Sequence, residues 1–239
     1  MKKNKWYKLF NKKTFFYNLE SKKVPSKPYE LYRVIVPNVT KNKFKLITQF
    51  ISKKINFENG EKILDFGSGN GSFLLYFQKK AKKMYSIDIS KPLLNIQKKY
   101  LKNTVFIPAN PNNINFFKKI KNNEIDVTIS TSVFQCFDSE QYCKQVLREM
   151  IRITKKVVFI YDLKNKNKKK LYINNARVKQ NLTVNEFKKK YRYTPYKFFD
   201  KTFFRKFISS EFPQKKFEFF DLPNAQEDSK FGLCLKIYS

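Results

Sequence analysis

Three of the chain's five glycines fall within five residues, in the run Ile63-Leu64-Asp65-Phe66-Gly67-Ser68-Gly69-Asn70-Gly71. Glycine is needed where backbone turns tightly and comes close to a ligand. Asp65 stands two residues before Gly67, and Asp88 stands 21 residues after it. Where such a run joins a strand to a helix, the free N–H groups at the helix start favour an anion or a carboxylate. A carboxylate ending the next strand can accept hydrogen bonds from both hydroxyls of a ribose. The pattern therefore calls for a nucleotide-like ligand. The chain has no histidine. That excludes a Ser-His-Asp triad, a Cys-His dyad, a histidine zinc site and any histidine base.

The elements that must position these residues are legible as alternating strands and helices. Thr40 caps a helix to about residue 54, with Phe44, Ile47, Ile51 and Ile55 at helical spacing. Asn59-Gly60 turns the chain into a buried strand over 62–66. The glycine run follows, then a helix over 72–80. Strands over 83–88, 104–107, 125–130 and 157–161 alternate with helices over 91–101, 114–120 and, capped by Asp138 or Ser139, up to about 153. Residues 164–170 are a Lys/Asn run that reads as an exposed loop. A short helix over 184–190, a helix over 200–209 and strands over 216–220 and 231–238 complete the pattern, with a polar acidic turn over 221–230. This rhythm implies an α/β fold, a doubly wound and mostly parallel sheet with helices on both faces and an antiparallel edge at the C-terminus. Residues 1–40, with Pro25, Pro28 and Pro37, read as a basic, aromatic N-terminal arm holding one short helix near 29–36. Residues 41–239 form the main domain, interrupted by a basic insertion at 163–197.

The chain carries 51 Lys and Arg against 19 Asp and Glu, a net charge of +32. Lysine outnumbers arginine 45 to 6, as A/T-rich coding would produce, but coding does not account for the shortage of acids. Segments 1–40 and 163–197 carry +8 and +11, while 198–239 carries +1. Two basic segments suit an anionic substrate or surface. Cys136, Cys143 and Cys234 form no CxxC pair, and their odd number suits a reducing, cytoplasmic location. No run approaches the ~18 apolar residues of a membrane span.

Dinucleotide folds use GxGxxG, and Ser72 stands where the third glycine of that pattern belongs. The spacing here is GxGxG, preceded by Asp65. In this the sequence resembles the class I S-adenosylmethionine-dependent methyltransferases, particularly the broad group acting on small molecules and quinone precursors. The resemblance runs over residues 41–239. It implies a seven-stranded sheet with an antiparallel last strand, and S-adenosylmethionine as cofactor without a metal. Asp65, Gly67, Ser68, Gly69 and Gly71 correspond to the family's first motif. Asp88 matches its ribose-binding acid, and Ile89 the apolar neighbour against adenine. Asn110 falls where an Asp often contacts the adenine amino group. Asp126-Val-Thr-Ile-Ser130-Thr-Ser132-Val-Phe-Gln135 resembles the fourth-strand motif, with Ser130 and its neighbours lining the cofactor and Gln135 where relatives often carry histidine.

Methyl transfer is an in-line displacement, and holding the acceptor aligned can alone contribute ~7–11 kcal/mol. A general base is needed only for an acceptor that loses a proton as it attacks. Without histidine the candidates are Asp162, Tyr161, Glu140 and Asp200, with Asp162 first because it ends the fifth strand on the edge that bears the glycine loop. Tyr191, Tyr193, Tyr196 and Phe198 could wall an acceptor pocket. Tyr193 and Lys197 also spell YxxxK, but Pro195 between them would break the helix that motif requires. The expected acceptor is an anionic small molecule. An RNA acceptor held by the basic segments is the alternative. Against it, Ser130-Thr-Ser-Val is not the Asn/Asp-Pro-Pro-aromatic of amino-methylating nucleic-acid enzymes. A non-catalytic binder of the same fold is the third reading.

Overall fold

A computed structural model describes residues 9–11, 27–36, 39–191, 196–224 and 229–239. Seven strands form one sheet: β1 (Lys62–Phe66), β2 (Lys83–Asp88), β3 (Thr104–Pro108), β4 (Ile125–Thr131), β5 (Thr154–Lys164), β6 (Lys216–Asp221) and β7 (Gly232–Tyr238). Their order is β3-β2-β1-β4-β5-β7-β6. The first five pair in parallel, and β7 runs antiparallel to both β5 and β6. The expected doubly wound sheet with its antiparallel last strand is therefore present. The chain winds outward from β1 to β3, then returns to start again at β4. The winding reverses between β1 and β4, and the carboxyl ends of these strands flank the crevice where open α/β sheets bind ligands.

The central strands are apolar along their length because helices cover both faces. On one face lie α1 (Pro28–Ile35), α2 (Lys41–Ile55) and α3 (Ser72–Phe77), burying Tyr32, Phe44, Ile47 and Phe73. On the other, α5 (Glu140–Ile153) and α8 (Lys201–Glu211) bury Val146, Met150, Phe204 and Phe207. Between them in sequence come α4 (Lys91–Gln97), α6 (Lys169–Lys179) and α7 (Val184–Tyr191). Side-chain caps fix several starts: Thr40 accepts from the Lys43 N–H, Ser139 from Tyr142 and Asp200 from Thr202. Ser139, rather than Asp138, is thus the cap of α5.

Five elements differ from the sequence reading. Helix α4 stops at Gln97 rather than 101, and residues 115–119 form a 3-10 turn instead of an α-helix. Helix α3 stops at Phe77, because Lys80 and Ala81 fold back onto the Phe77 carbonyl and the Gly60 N–H ties off the Lys80 carbonyl. Strand β5 runs on to Lys164, because β7 pairs along it as far as Gly232. The Lys/Asn run is ordered: Lys164 is buried in the strand, residues 166–168 make a 3-10 turn, and residues 169–179 are helical. Residues 192–195, which hold Tyr193 and Pro195 of the YxxxK segment, and residues 225–228 of the acidic turn lie outside the described residues.

Candidate functional site

The strand β1 delivers the glycine run to the carboxyl edge. The N–H groups of Gly67 and Ser68 continue its pairing onto the Ile87 carbonyl, at 2.7 and 3.2 Å. The backbone then passes through φ +74°, +56° and +73° at Gly67, Gly69 and Gly71. A Cβ at Gly67 would stand 2.2 Å from Cγ2 of Val133. Only glycine meets both demands there.

This loop turns against the end of β2. The Gly69 N–H donates to Oδ2 of Asp88 at 2.8 Å, and the Ser90 N–H to Oδ1 at 2.7 Å. A carboxylate has about four acceptor sites, so Asp88 keeps capacity for a ligand. Burial raises its pKa to about 6, against the lowering effect of the Ser90, Gly69 and Ile89 N–H groups. Asp65 is fully buried, and neither of its oxygens has a hydrogen-bond partner among the described residues. Burial first, and the charge of Asp88 second, push its pKa up to about 8. A buried carboxylate without a partner is costly in its charged form. A cationic group brought beside it would relieve that cost.

Sequence reasoning missed the residues that hold the loop. Gln97 of α4 donates through Nε2 to the Gly69 carbonyl at 2.7 Å and to Ser68 Oγ at 3.0 Å, and its Oε1 accepts from Ser86 Oγ at 2.7 Å. Ser68 and Ser86 hydroxyls meet at 2.7 Å. Tyr100 donates to the Asn70 carbonyl, and Asn70 Nδ2 to that of Leu31. These groups come from α1, β2 and α4, and nothing in their spacing announces the meeting.

A pocket opens above the loop. Gly67, Ser68, Gly69, Asp88 and Ile89 line it, as the sequence suggested. Phe10, Tyr32, Val36 and Phe73 close it from the N-terminal arm and α3. Phe10 is tied down by its carbonyl, which accepts from Ser90 Oγ at 2.6 Å, and Asn11 donates to the Ile89 carbonyl at 3.2 Å. Gly71 stands behind the wall as the left-handed residue before α3. Asn110 is exposed, with Oδ1 engaged by the Asn112 N–H, while its neighbours Ala109 and Pro111 line the pocket. Ser130 is fully buried and donates to the Phe66 carbonyl at 3.0 Å, so the wall begins one residue later, with Thr131, Ser132 and Val133. Gln135 is buried behind that wall.

The catalytic candidates separate. Tyr161 is 1% exposed, packs edge-on against Phe50, and has no hydrogen-bond partner for its hydroxyl among the described residues. Burial drives its pKa far above the ordinary phenol value, which leaves it no role as a base. Asp200 is engaged as the cap of α8, and Glu140 is exposed at the start of α5. Asp162 lies one layer behind the pocket. Its Oδ2 accepts from Ser132 Oγ at 2.7 Å, and its Oδ1 pairs with Nζ of the buried Lys164 at 3.1 Å. Ser132 and Asp162 both adopt positive φ, +57° and +61°, which non-glycine residues seldom do. Both Ser132 and Cys136 line the pocket, and burial holds the Cys136 thiol up at about 12, so it is no nucleophile.

Residues 64–161 match the family model described as a methyltransferase domain. No curated protein matches the chain. Among solved structures, magnesium protoporphyrin IX methyltransferase from Synechocystis, with bound S-adenosylmethionine, superposes with a TM-score of 0.60 at 10% identity, covering 100% of this chain and 98% of that one. The plantazolicin methyltransferase, in complex with a triazolic desmethylPZN analogue and S-adenosylhomocysteine, gives 0.57 at 15% identity over 98% and 97% of the two chains. An S-adenosylmethionine-dependent methyltransferase from Aquifex aeolicus gives 0.51 at 17% identity over 89% and 97%. At these identities the likeness is one of fold.

Proposed function

We propose that the chain, whose residues 64–161 match a methyltransferase domain, is a class I S-adenosylmethionine-dependent methyltransferase that transfers a methyl group in line to an anionic small-molecule acceptor entering over the carboxyl ends of β4 and β5. One observation carries the reading. The glycine loop of β1 and the carboxylate of β2 meet at 2.8 Å in the wall of one pocket. The donor set fits the cofactor: Asp88 retains acceptor capacity for ribose hydroxyls, and the orphaned carboxylate of Asp65 suits the charge of an ammonium group.

When bound, S-adenosylmethionine supplies a methyl group already activated on sulfur. The protein's task is then to bind, align and keep water out. Ile89 and Leu93 offer apolar surface to a base, and Phe10 and Tyr32 cover the pocket. We assign the acceptor's proton to Ser132 and Asp162. Ser132 Oγ lines the pocket, and its own proton already points at Asp162 Oδ2. A proton taken up at Ser132 Oγ can therefore pass on to Asp162, with Lys164 balancing the carboxylate. An acceptor that carries no proton at the attacked atom would need none of this. The excess of lysine around the insertion favours an anionic acceptor.

Calorimetry with S-adenosylmethionine, S-adenosylhomocysteine and NAD tests the cofactor. Micromolar binding of the sulfur pair alone is expected, and binding of NAD alone would overturn the reading. Methyl incorporation into pooled anionic metabolites, set beside structured RNA at two salt concentrations, tests the acceptor class.

A further inference from the structure

The insertion between β5 and α8 folds as a helical hairpin, α6 and α7, whose outer surface combines two properties. The first is single-sign charge. From residue 163 to 197 the sequence has twelve basic residues and one acid, Glu186, which is spent capping α7 through Thr183. The second is exposed aliphatic surface. Leu171, Val178 and Val184 are 64, 61 and 54% exposed, more than any other large hydrophobic residue described.

Leu171 and Val178 lie seven residues apart, hence on one face of α6. Exposed Lys170 flanks that face. Val184 begins α7 across an apolar groove floored by Ile173 and Phe187. Helix α6 packs onto the body through Tyr172, whose ring meets Phe198 and Phe231 edge-on at 5.5 and 5.6 Å. Leu171 and Val178 stay outside that contact and face solvent. A polyanion such as RNA would account for the lysines but would leave the three aliphatics in water. A surface that is both anionic and oily satisfies both properties, and basic amphipathic helices bind such surfaces through apolar burial plus attraction to acidic headgroups. Among the described residues no helix is long and apolar enough to cross a membrane, so such contact would be parallel to the surface.

We propose that the α6–α7 hairpin docks on the surface of an anionic phospholipid bilayer. Leu171, Val178 and Val184 enter the acyl boundary, and Lys169, Lys170, Lys188 and Lys189 meet the lipid phosphates. The inference is independent of the methyl-transfer reading, because none of these residues lines the cofactor pocket.

Sedimentation of the full chain with vesicles tests it. Vesicles of phosphatidylcholine with about one third phosphatidylglycerol should retain the protein, and phosphatidylcholine alone should not. Replacing Leu171, Val178 and Val184 together by serine should weaken retention roughly tenfold or more. Replacing the four lysines by glutamine should weaken it on the order of a thousandfold. Leu171→Ser alone should give a loss of a few fold, and thermal unfolding should stay unchanged in every variant because the substituted side chains are exposed. Absence of retention on the acidic vesicles overturns the proposal. So does a triple serine variant that binds them as the wild type does, and a single-stranded RNA that displaces it would then assign the hairpin to a polyanion.

Discussion

The two halves of the carboxyl edge use the same unusual backbone conformation for opposite ends. On the β1–β2 side, positive φ belongs to Gly67, Gly69 and Gly71. On the β4–β5 side it belongs to Ser132 and Asp162. Glycine adopts it freely, whereas other residues bear a strain on the order of 1 kcal/mol or more. The first half exposes main chain, so a side chain would be an obstruction: the Cβ of a substituted Gly67 would collide with Val133. The second half needs its side chains, and their mutual bonds hold the strained backbone. Ser132 is fixed by Asp162, and Asp162 by Lys164. One half is a surface made of peptide groups. The other is a set of functional groups held in place by each other.

That contrast can be broken at graded cost. The largest effect expected is for Lys164→Ala, which leaves Asp162 buried without its cation. Losing one partner of a buried pair costs about 3–5 kcal/mol. Denaturant unfolding would show it, while cofactor affinity of the folded fraction should hold. Next comes Asp88→Ala, expected to weaken S-adenosylmethionine binding at least a hundredfold, about 3 kcal/mol, because hydrogen bonds to a charged acceptor are lost. Calorimetry would read it, and unchanged affinity would remove the ribose assignment. Asp65 tests the first half through pH. Its folded pKa, about 8, lies above the unfolded value near 4, so the folded state binds more protons in that window. Stability of the ligand-free protein should therefore fall as pH rises from about 4 to about 8. Between pH 6 and 8, above the pKa of Asp88, the loss should be on the order of 2 kcal/mol, and Asp65→Asn should abolish it. Smallest is Ser132→Ala, expected to lower turnover roughly ten- to a hundredfold for an acceptor that gives up a proton. Cofactor affinity should be unaltered, and the variant's pH–rate profile should lose its acid limb. An unchanged profile would take Ser132 out of the proton path.

The difference between the halves also governs what the sequence could reveal. The order of strands, the glycine loop and Asp88 were legible because each has a local signature: buried apolar runs, three glycines in five residues, an acid at a strand end. Gln97, Ser68 and Ser86 were not, because their three-way bonding joins α4, β2 and the loop only in the folded chain. Asp162 was reachable from its position at a strand end, yet its link to the pocket through Ser132 depends on a contact 30 residues apart. Ser130 was the natural choice from the motif. The end of the strand decides otherwise: Ser130 still lies within β4 and bonds the Phe66 carbonyl, whereas Ser132 follows the strand at positive φ and lines the pocket. Helix α6 was hidden by composition, since a Lys/Asn run has no apolar periodicity and its anchor, Tyr172, packs on distant aromatics.

Strand β7 sits between β5 and β6, although residues 232–238 are the last of the sheet to be synthesised. Until those residues leave the ribosome, β5 has a bare edge and β6 has no partner in the sheet. The glycine loop, Asp88 and the five parallel strands can already be assembled by then. An open strand edge invites pairing with other chains.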